Sequence, residues 1–213
     1  MVKLILLGGG GHATVLAEIL RESGAPLLGL TALAPPTAGL LAELPFLGDD
    51  EVVGDHGPDT VQLVNGLGST ATTQARADIF LRFTKAGYHF AGLRHPSAIV
   101  SPSAAAGAGL QVLAGAIVNS EARLGANVLV NSRALIEHHC EIGDHCHIAS
   151  GAVLCGDCRL GAGVHVGAGA VVRQGIRIGT GAVIAAGAVV IDHVPPHSLA
   201  VGVPARIRRE NIG

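Results

Sequence analysis

Five histidines, His138, His139, His145, His147 and His165, crowd one stretch of the sequence. An imidazole changes charge near neutral pH, so such residues suit general acid–base chemistry or metal ligation. Cys140, Cys146, Cys155 and Cys158 share the stretch, and Cys155-Gly-Asp-Cys158 has C-x-x-C spacing. That spacing can hold zinc or form a redox pair. A packing role fits better, because Cys140, Cys146 and Cys158 recur at a six-residue interval among small apolar residues. They read as buried thiols acting as small hydrophobes. A second candidate is Gly8-Gly9-Gly10-Gly11-His12. A turn that opens a helix offers free backbone N–H groups and a positive dipole end to an anion. Four glycines exceed what the turn itself needs.

The elements that must position these groups differ between the two halves. From Val100 to Val190 every sixth residue is aliphatic, with Ala106 the one small exception. A six-residue period is neither helical nor simple strand alternation; it marks a parallel β-helix of hexapeptides. Three hexads close one triangular coil of 18 residues, giving about five coils in this stretch. Four places after each aliphatic residue sits a small or branched apolar one, such as Ala116, Ala134 or Ala152. One place after it stands a frequent glycine: Gly107, Gly125, Gly143, Gly161, Gly167 and Gly179. These glycines are expected to supply the positive φ that corners need.

The first half reads as β-α-β…β-α. Strands are expected at Leu4–Leu7, Leu27–Leu30 and Val61–Val64, and helices at Ala13–Ser23 and about Thr72–Ala86. Val15, Ile19 and Leu20 are counted on the apolar face of the first helix. This is a half-Rossmann pattern. The fold expected is an α/β half-Rossmann domain over residues 1–93, followed by a parallel β-helix with a C-terminal tail over residues 94–213. The tail, from Val201 on, is expected to leave the solenoid.

Of the 213 residues, 49% are hydrophobic but only 2% aromatic, as suits a narrow solenoid interior filled by Val, Ile, Leu and Ala. A formal charge of −2 gives no electrostatic case for nucleic acid. No apolar run is long enough for a membrane span. The run from Met1 to Leu7 ends in four glycines without a cleavage site, so it reads as a strand rather than a signal peptide. A cytoplasmic protein is expected.

The Gly-Gly-His front domain, the hexapeptide solenoid, Ile136-Glu137-His138-His139-Cys140-Glu141-Ile142-Gly143 and the Gly202-Val203-Pro204-Ala205-Arg206 tail together resemble one family. It comprises the sialic-acid and bacillosamine-pathway sugar acyltransferases, and the resemblance covers essentially the whole chain. It is nearest to the enzymes that acetylate nucleotide-linked 4-amino-4,6-dideoxy sugars. The resemblance implies a left-handed β-helix, a homotrimer with active sites between subunits, and acetyl-CoA as co-substrate without a metal. It puts the catalytic histidine at His138 and a second, acetyl-proximal one at His147. Glu137 and Gly156 join His138 in the catalytic set. Substrate contacts are expected at Gly8, Gly9, Gly10, Gly11, His12, Gly66, Asn131 and His139. Coenzyme A contacts are expected at His147, Gly156, Ala186, Gly202, Pro204 and Arg206; Arg206, Arg208 and Arg209 read equally as phosphate partners or as solvated charges of the tail.

The register bears on the same residues independently. His138 lies two places after core residue Ile136, at an outward site, and one coil later the same column holds Gly156. Coils stack about 4.8 Å apart. A ligand could sit beside His138 over Gly156 with a backbone N–H in reach. His147 and His165, 18 residues apart, should stack on one face. Two places depart from the family. Many relatives carry an acidic residue directly after the catalytic histidine, where this chain has His139; Glu137, Glu141 or Asp144 would have to orient the imidazole. Relatives often carry an Asp pair after the second strand, where this chain reads Leu30-Thr31-Ala32-Leu33. Uracil and guanine both remain open. The implied reaction is direct attack of an amine on the thioester with His138 as general base. O-acetylation of a sugar, a zinc-dependent carbonic-anhydrase-like solenoid and a non-catalytic scaffold are the alternatives.

Overall fold

The computed structural model describes residues 2–70 and 72–209. Met1 of the first apolar run and residues 210–213 of the expected tail lie outside the described residues, as does the side chain of Arg209. The chain divides into two compact units. One comprises Met1–Gly68 and Ala75–Leu93, the other Ser69–Gln74 and Arg94–Gly213.

The first unit is built on a four-stranded parallel sheet. Its strands are β1 (Lys3–Leu7), β2 (Leu27–Thr31), β3 (Phe46–Gly48) and β4 (Val61–Asn65), in the order β3-β2-β1-β4. Leu4 to Leu7 are all buried, as a continuous apolar run in a parallel sheet should be. Helix α1 (Gly11–Glu22) buries Ala13, Leu16, Ala17, Ile19 and Leu20. Val15 falls outside that face and is 41% exposed, contrary to the sequence pattern. Helix α2 (Gln74–Lys85) follows β4 and buries Phe80 and Phe83. The direction in which strands are added reverses between β1 and β4. Ligands of open α/β sheets bind at the carboxyl ends of strands beside such a switch point.

The second unit is a left-handed parallel β-helix. Each two-residue strand pairs in parallel with the strands one coil away, as Leu135–Ile136 does with Ile117–Val118 and Val153–Leu154. Three faces follow. One column runs Val100, Val118, Ile136, Leu154, Val172, Val190; another runs Ala106, Leu124, Ile142, Leu160, Ile178; the third runs Val112, Val130, Ile148, Val166, Ile184. Apart from Ala106, which is exposed, they fill the interior together with the small column (Ala116, Ala134, Cys140, Cys146, Cys158 and their equivalents).

The corner glycines need a different reason from the one the sequence suggested. Gly107, Gly125, Gly143, Gly161, Gly167 and Gly179 do not adopt positive φ. A Cβ there would strike the backbone or a turn side chain of the next coil; at Gly107 it would lie 2.4 Å from the carbonyl carbon of Gly125. Positive φ belongs to another column. Every sixth residue from Gly109 to Gly187 adopts it, and Glu121, Asn127, Arg133, His139, His145 and Asp157 do so without being glycine. The tail also differs from expectation. Leu199–Ala200 pairs in parallel with Val183–Ile184, and instead of leaving the solenoid at Val201 the chain folds back as an antiparallel strand, Ala205–Arg209, at the edge of the same sheet. No described helix is long and apolar enough to cross a membrane.

Candidate active site

His138 and Gly156 meet as the register requires. Ile136 and Leu154 are paired rungs, so the turn residues two places on stack as well. The His138 ring lies over Gly156: a Cβ built there would be 2.6 Å from Cε1 and 2.7 Å from Nε2. The imidazole thus fills the space that any other residue at 156 would claim. At three equivalent turns a side chain takes the amide, the His138 N–H donating to Glu137 Oε2 at 3.4 Å among them. The Ala126 N–H donates to Asp144 Oδ1 at 2.7 Å, and the Ser132 N–H to Asn131 Oδ1 at 2.8 Å. For the Gly156 N–H no acceptor is found among the described residues. An amide donor beside an imidazole is an arrangement able to bind a developing oxyanion next to a base.

His138 is exposed, and its Nδ1 lies 3.0 Å from Nδ1 of His139, with the rings edge to face. Only one proton fits in that contact. When His138 carries it, the Nε2 lone pair is free to accept a proton, and His139 acts as the acceptor that holds this tautomer. Glu137 does not reach the ring. Its Oε2 accepts from Asn119 Nδ2 at 3.0 Å and from the His138 backbone N–H at 3.4 Å. Asp144 caps Ala126, and Glu141 faces Arg159 at 4.0 Å. So the group beside the imidazole is the neighbouring histidine, not any of the three carboxylates.

His147 and His165 stack as expected, 4.9 Å apart at 81°. Both are buried, at 4% and 6% exposure. Asn131 fixes the chain of bonds. Its Oδ1 takes the Ser132 N–H, so its Nδ2 donates to His147 Nε2 at 3.1 Å. The His147 proton is then on Nδ1 and donates to Ser69 Oγ at 2.6 Å, and that hydroxyl can donate on to His165 Nδ1 at 3.5 Å. Burial lowers the pKa of His165, since its cation would be poorly solvated. Asn131 and His147, expected against substrate and coenzyme, are thereby bound to each other. Ser69 was invisible to sequence reasoning, because it lies 78 residues from its partner His147.

The thiols are structural. Cys140, Cys146 and Cys158 each donate to a backbone carbonyl one coil on, those of Cys155, Gly161 and Arg173. Burial pushes the Cys146 thiol up to about 12. Contact with Cys158 and burial push Cys140 up as well. All four cysteines are free. Among the described residues no cluster of three His, Cys, Asp or Glu could hold a metal ion.

In the first unit the glycine turn opens α1. Gly10 caps the helix without any side-chain bond, and a Cβ at Gly10 or Gly11 would meet nothing within 4 Å. Bare backbone at a helix N-terminus with open space in front suits a phosphate. Gly8 and Gly9 line a cavity of about 490 Å³ with Ala32, Leu33, Ala34, Pro36, Asp50, Leu67 and Ile79. Gly66, expected among the substrate contacts, does other work. It is buried, and a Cβ there would come 2.4 Å from the Leu7 carbonyl oxygen. The adjoining Leu67 lines the cavity instead. Arg76, unremarked in the sequence, holds that loop, donating from one amino nitrogen to the Asn65 and Leu67 carbonyls at 3.0 and 2.9 Å.

The remaining expected coenzyme contacts are spread along the solenoid's end. Ala186 is an exposed turn residue, Gly202 is the exposed last residue of the strand Leu199–Gly202, Pro204 follows a cis peptide bond, and Arg206 lies 3.7 Å from Asp192. The structure does not gather them around His138.

The repeats match the family model described as bacterial transferase hexapeptide (six repeats) over residues 121–156 and 157–192. No curated protein sequence is matched by the chain. Among solved structures, the fold matches PerB from Caulobacter crescentus, in complex with CoA and GDP-perosamine. The TM-score is 0.89 at 30% identity, over 98% of both chains. It matches the acetyltransferase domain of PglB from Neisseria gonorrhoeae FA1090, in complex with acetyl coenzyme A, with a TM-score of 0.85 at 32% identity, over 96% of this chain and 98% of that one. WeeI from Acinetobacter baumannii AYE shares the fold at 22% identity and a TM-score of 0.83. Nearly full-length coverage at about a third identity, together with the hexapeptide repeats and the glycine-turn domain, places the chain in the hexapeptide-repeat sugar acyltransferase family of the sialic-acid and bacillosamine type.

Proposed function

We propose that this chain transfers the acetyl group of acetyl-CoA to the amino group of a nucleotide-linked 4-amino-4,6-dideoxy sugar. The observation that carries this reading is the His138 imidazole lying over Gly156, beside an amide N–H without an acceptor among the described residues. Relatives of known structure support the substrates. PerB was solved with CoA and GDP-perosamine, and the PglB domain with acetyl coenzyme A.

In the reaction His138 Nε2 takes a proton from the amine as its nitrogen attacks the thioester carbonyl. The oxygen gains negative charge, which the Gly156 N–H stabilises. The C–S bond then breaks, and the proton held by His138 leaves with the sulfur as CoA thiol. His139 keeps the required tautomer throughout by accepting from His138 Nδ1. General base catalysis of this kind contributes about 10²–10⁴-fold. The glycine turn of the first unit binds the nucleotide's phosphates at the α1 N-terminus. A solenoid face has little concavity, so the working enzyme is proposed to be a cytoplasmic homotrimer whose grooves between subunits hold coenzyme A.

Thiol release from acetyl-CoA tests this, with UDP- and GDP-linked 4-amino-4,6-dideoxy sugars as acceptors and a matching hydroxy sugar as control. Release with an amino sugar alone supports the proposal. Transfer only to the hydroxy sugar moves the chain to O-acetylation.

A further inference from the structure

The cavity of the first unit carries one polar side chain. Gly8, Gly9, Ala32, Leu33, Ala34, Pro36, Leu67 and Ile79 present carbon and glycine backbone, and Asp50 presents a carboxylate. Asp50 begins a short 3-10 helix just after β3, and a buried hydroxyl holds it. Thr31, with no exposure, donates from Oγ1 to Asp50 Oδ1 at 2.5 Å. Backbone bonds tie the same corner together: the Gly8 N–H donates to the Thr31 carbonyl at 2.8 Å, and the Ala32 N–H to the Gly48 carbonyl at 2.9 Å. The carboxylate is therefore fixed on the wall of a largely apolar pocket. On the rim Leu33 is fully exposed, at 101%. An isolated large apolar side chain beside an apolar cavity is well placed to cover the face of a flat ligand.

We propose that Asp50 reads the base of the nucleotide and that this base is guanine. The inference rests on the nucleotide-sugar reading above and goes beyond it by choosing the base. A carboxylate is acceptor-only and binds best to two parallel N–H donors. Guanine alone among the common bases has two adjacent donors on its Watson–Crick edge, N1–H and the N2 amino group. Uracil and thymine present one N–H between two carbonyl oxygens, which the carboxylate repels. Adenine and cytosine present an amino group beside a bare ring nitrogen. The same negative charge excludes phosphate from this wall and directs it to the α1 N-terminus, where Gly10 and Gly11 open onto free space. The base thus lies between the aliphatic walls, with its polar edge on Asp50 and its diphosphate over the glycine turn.

Calorimetric titration of the full chain with GDP, UDP, dTDP and ADP tests the assignment, alongside Asp50→Asn and a CoA titration of both proteins. GDP is expected to bind about 10- to 100-fold tighter than the other three, the usual worth of a bidentate base contact. Asp50→Asn replaces an acceptor by a donor. It should remove that preference while leaving CoA affinity and the melting temperature close to wild type. Thr31→Val, which frees the carboxylate to turn, should weaken GDP binding less. Equal or tighter binding of UDP, dTDP or ADP overturns the proposal and leaves the nucleotide-sugar reading standing. So does a GDP preference that survives in Asp50→Asn. Binding of CoA with no binding of any nucleotide overturns both.

Discussion

The imidazole of His138 occupies the volume of a missing side chain at Gly156, with Cε1 2.6 Å and Nε2 2.7 Å from where a Cβ would be. An alanine at 156 must therefore push the ring aside. The ring is an exposed side chain and can swing outward, so the coil itself need not distort. Gly156→Ala should leave the melting temperature nearly unchanged and lower kcat by about 10²-fold, the scale of a 1 Å misplacement. Steady-state kinetics beside thermal melts would check this. A large loss of stability with kcat intact would reverse the assignment of roles.

His139 should show opposite effects on stability and on rate. It adopts φ 60 in a column where most positions are glycine. His139→Gly relieves that backbone, which stabilises by up to about 1 kcal/mol. It also removes the acceptor that holds the His138 tautomer, which should lower kcat about tenfold, the worth of one good hydrogen bond. His139→Asp restores an acceptor, and its charge favours the imidazolium. The acidic limb of kcat/KM against pH should then move to higher pH. A surface residue would move neither the limb nor the rate.

His165 ties stability to acid. Burial lowers its pKa in the folded chain, while the unfolded chain takes up the same proton near pH 6.5. Below that pH the unfolded state binds more protons, so stability rises with pH across this window. The contribution is present above about pH 6.5 and is lost as pH falls through the lower folded value. Denaturant titrations from pH 7 down to pH 5 should show the midpoint falling. His165→Phe should flatten that slope. An unchanged slope would mean that the cation is accommodated.

One thiol should stand apart from the other three. Cys140, Cys146 and Cys158 are fully buried, with 0% exposure, whereas Cys155 is half-buried at a turn. Thiolates react, and buried thiols form few of them. A chromogenic disulfide reagent should titrate a single cysteine in the folded protein and all four after unfolding. Cys155→Ser should abolish the native reaction. Rapid reaction of several thiols would contradict the packing role.

The architecture of the solenoid was legible because its rule is local: one aliphatic residue in six, repeated, fixes rung, face and interior. The same rule brought His138 to Gly156 and His147 to His165 before any coordinates. It misled at the glycines, since Gly107 and its equivalents serve close approach between coils rather than positive φ. Strand β3 was missed because three residues between Pro45 and Asp49 carry no period. A signal did exist in Gly29, in the middle of β2, where a Cβ would come 2.4 Å from the Pro45 carbonyl oxygen. The contacts of Ser69 with His147, of Asp50 with Thr31 and of Arg76 with the Asn65–Leu67 loop join residues that share no periodic pattern. Tertiary packing alone brings them together. The turn to His139 was hidden for a smaller reason: two adjacent residues in a strand point apart, whereas the φ 60 turn lets their rings meet.

The most direct test of the central claim is the turnover of His138→Ala, read as thiol release from acetyl-CoA at saturating amino-sugar nucleotide. The expected result is a fall in kcat of about 10²–10⁴-fold, with the KM for acetyl-CoA little changed, because the imidazole acts on the amine's proton rather than on coenzyme binding. Turnover close to wild type in that variant would contradict the account and remove His138 from the chemistry.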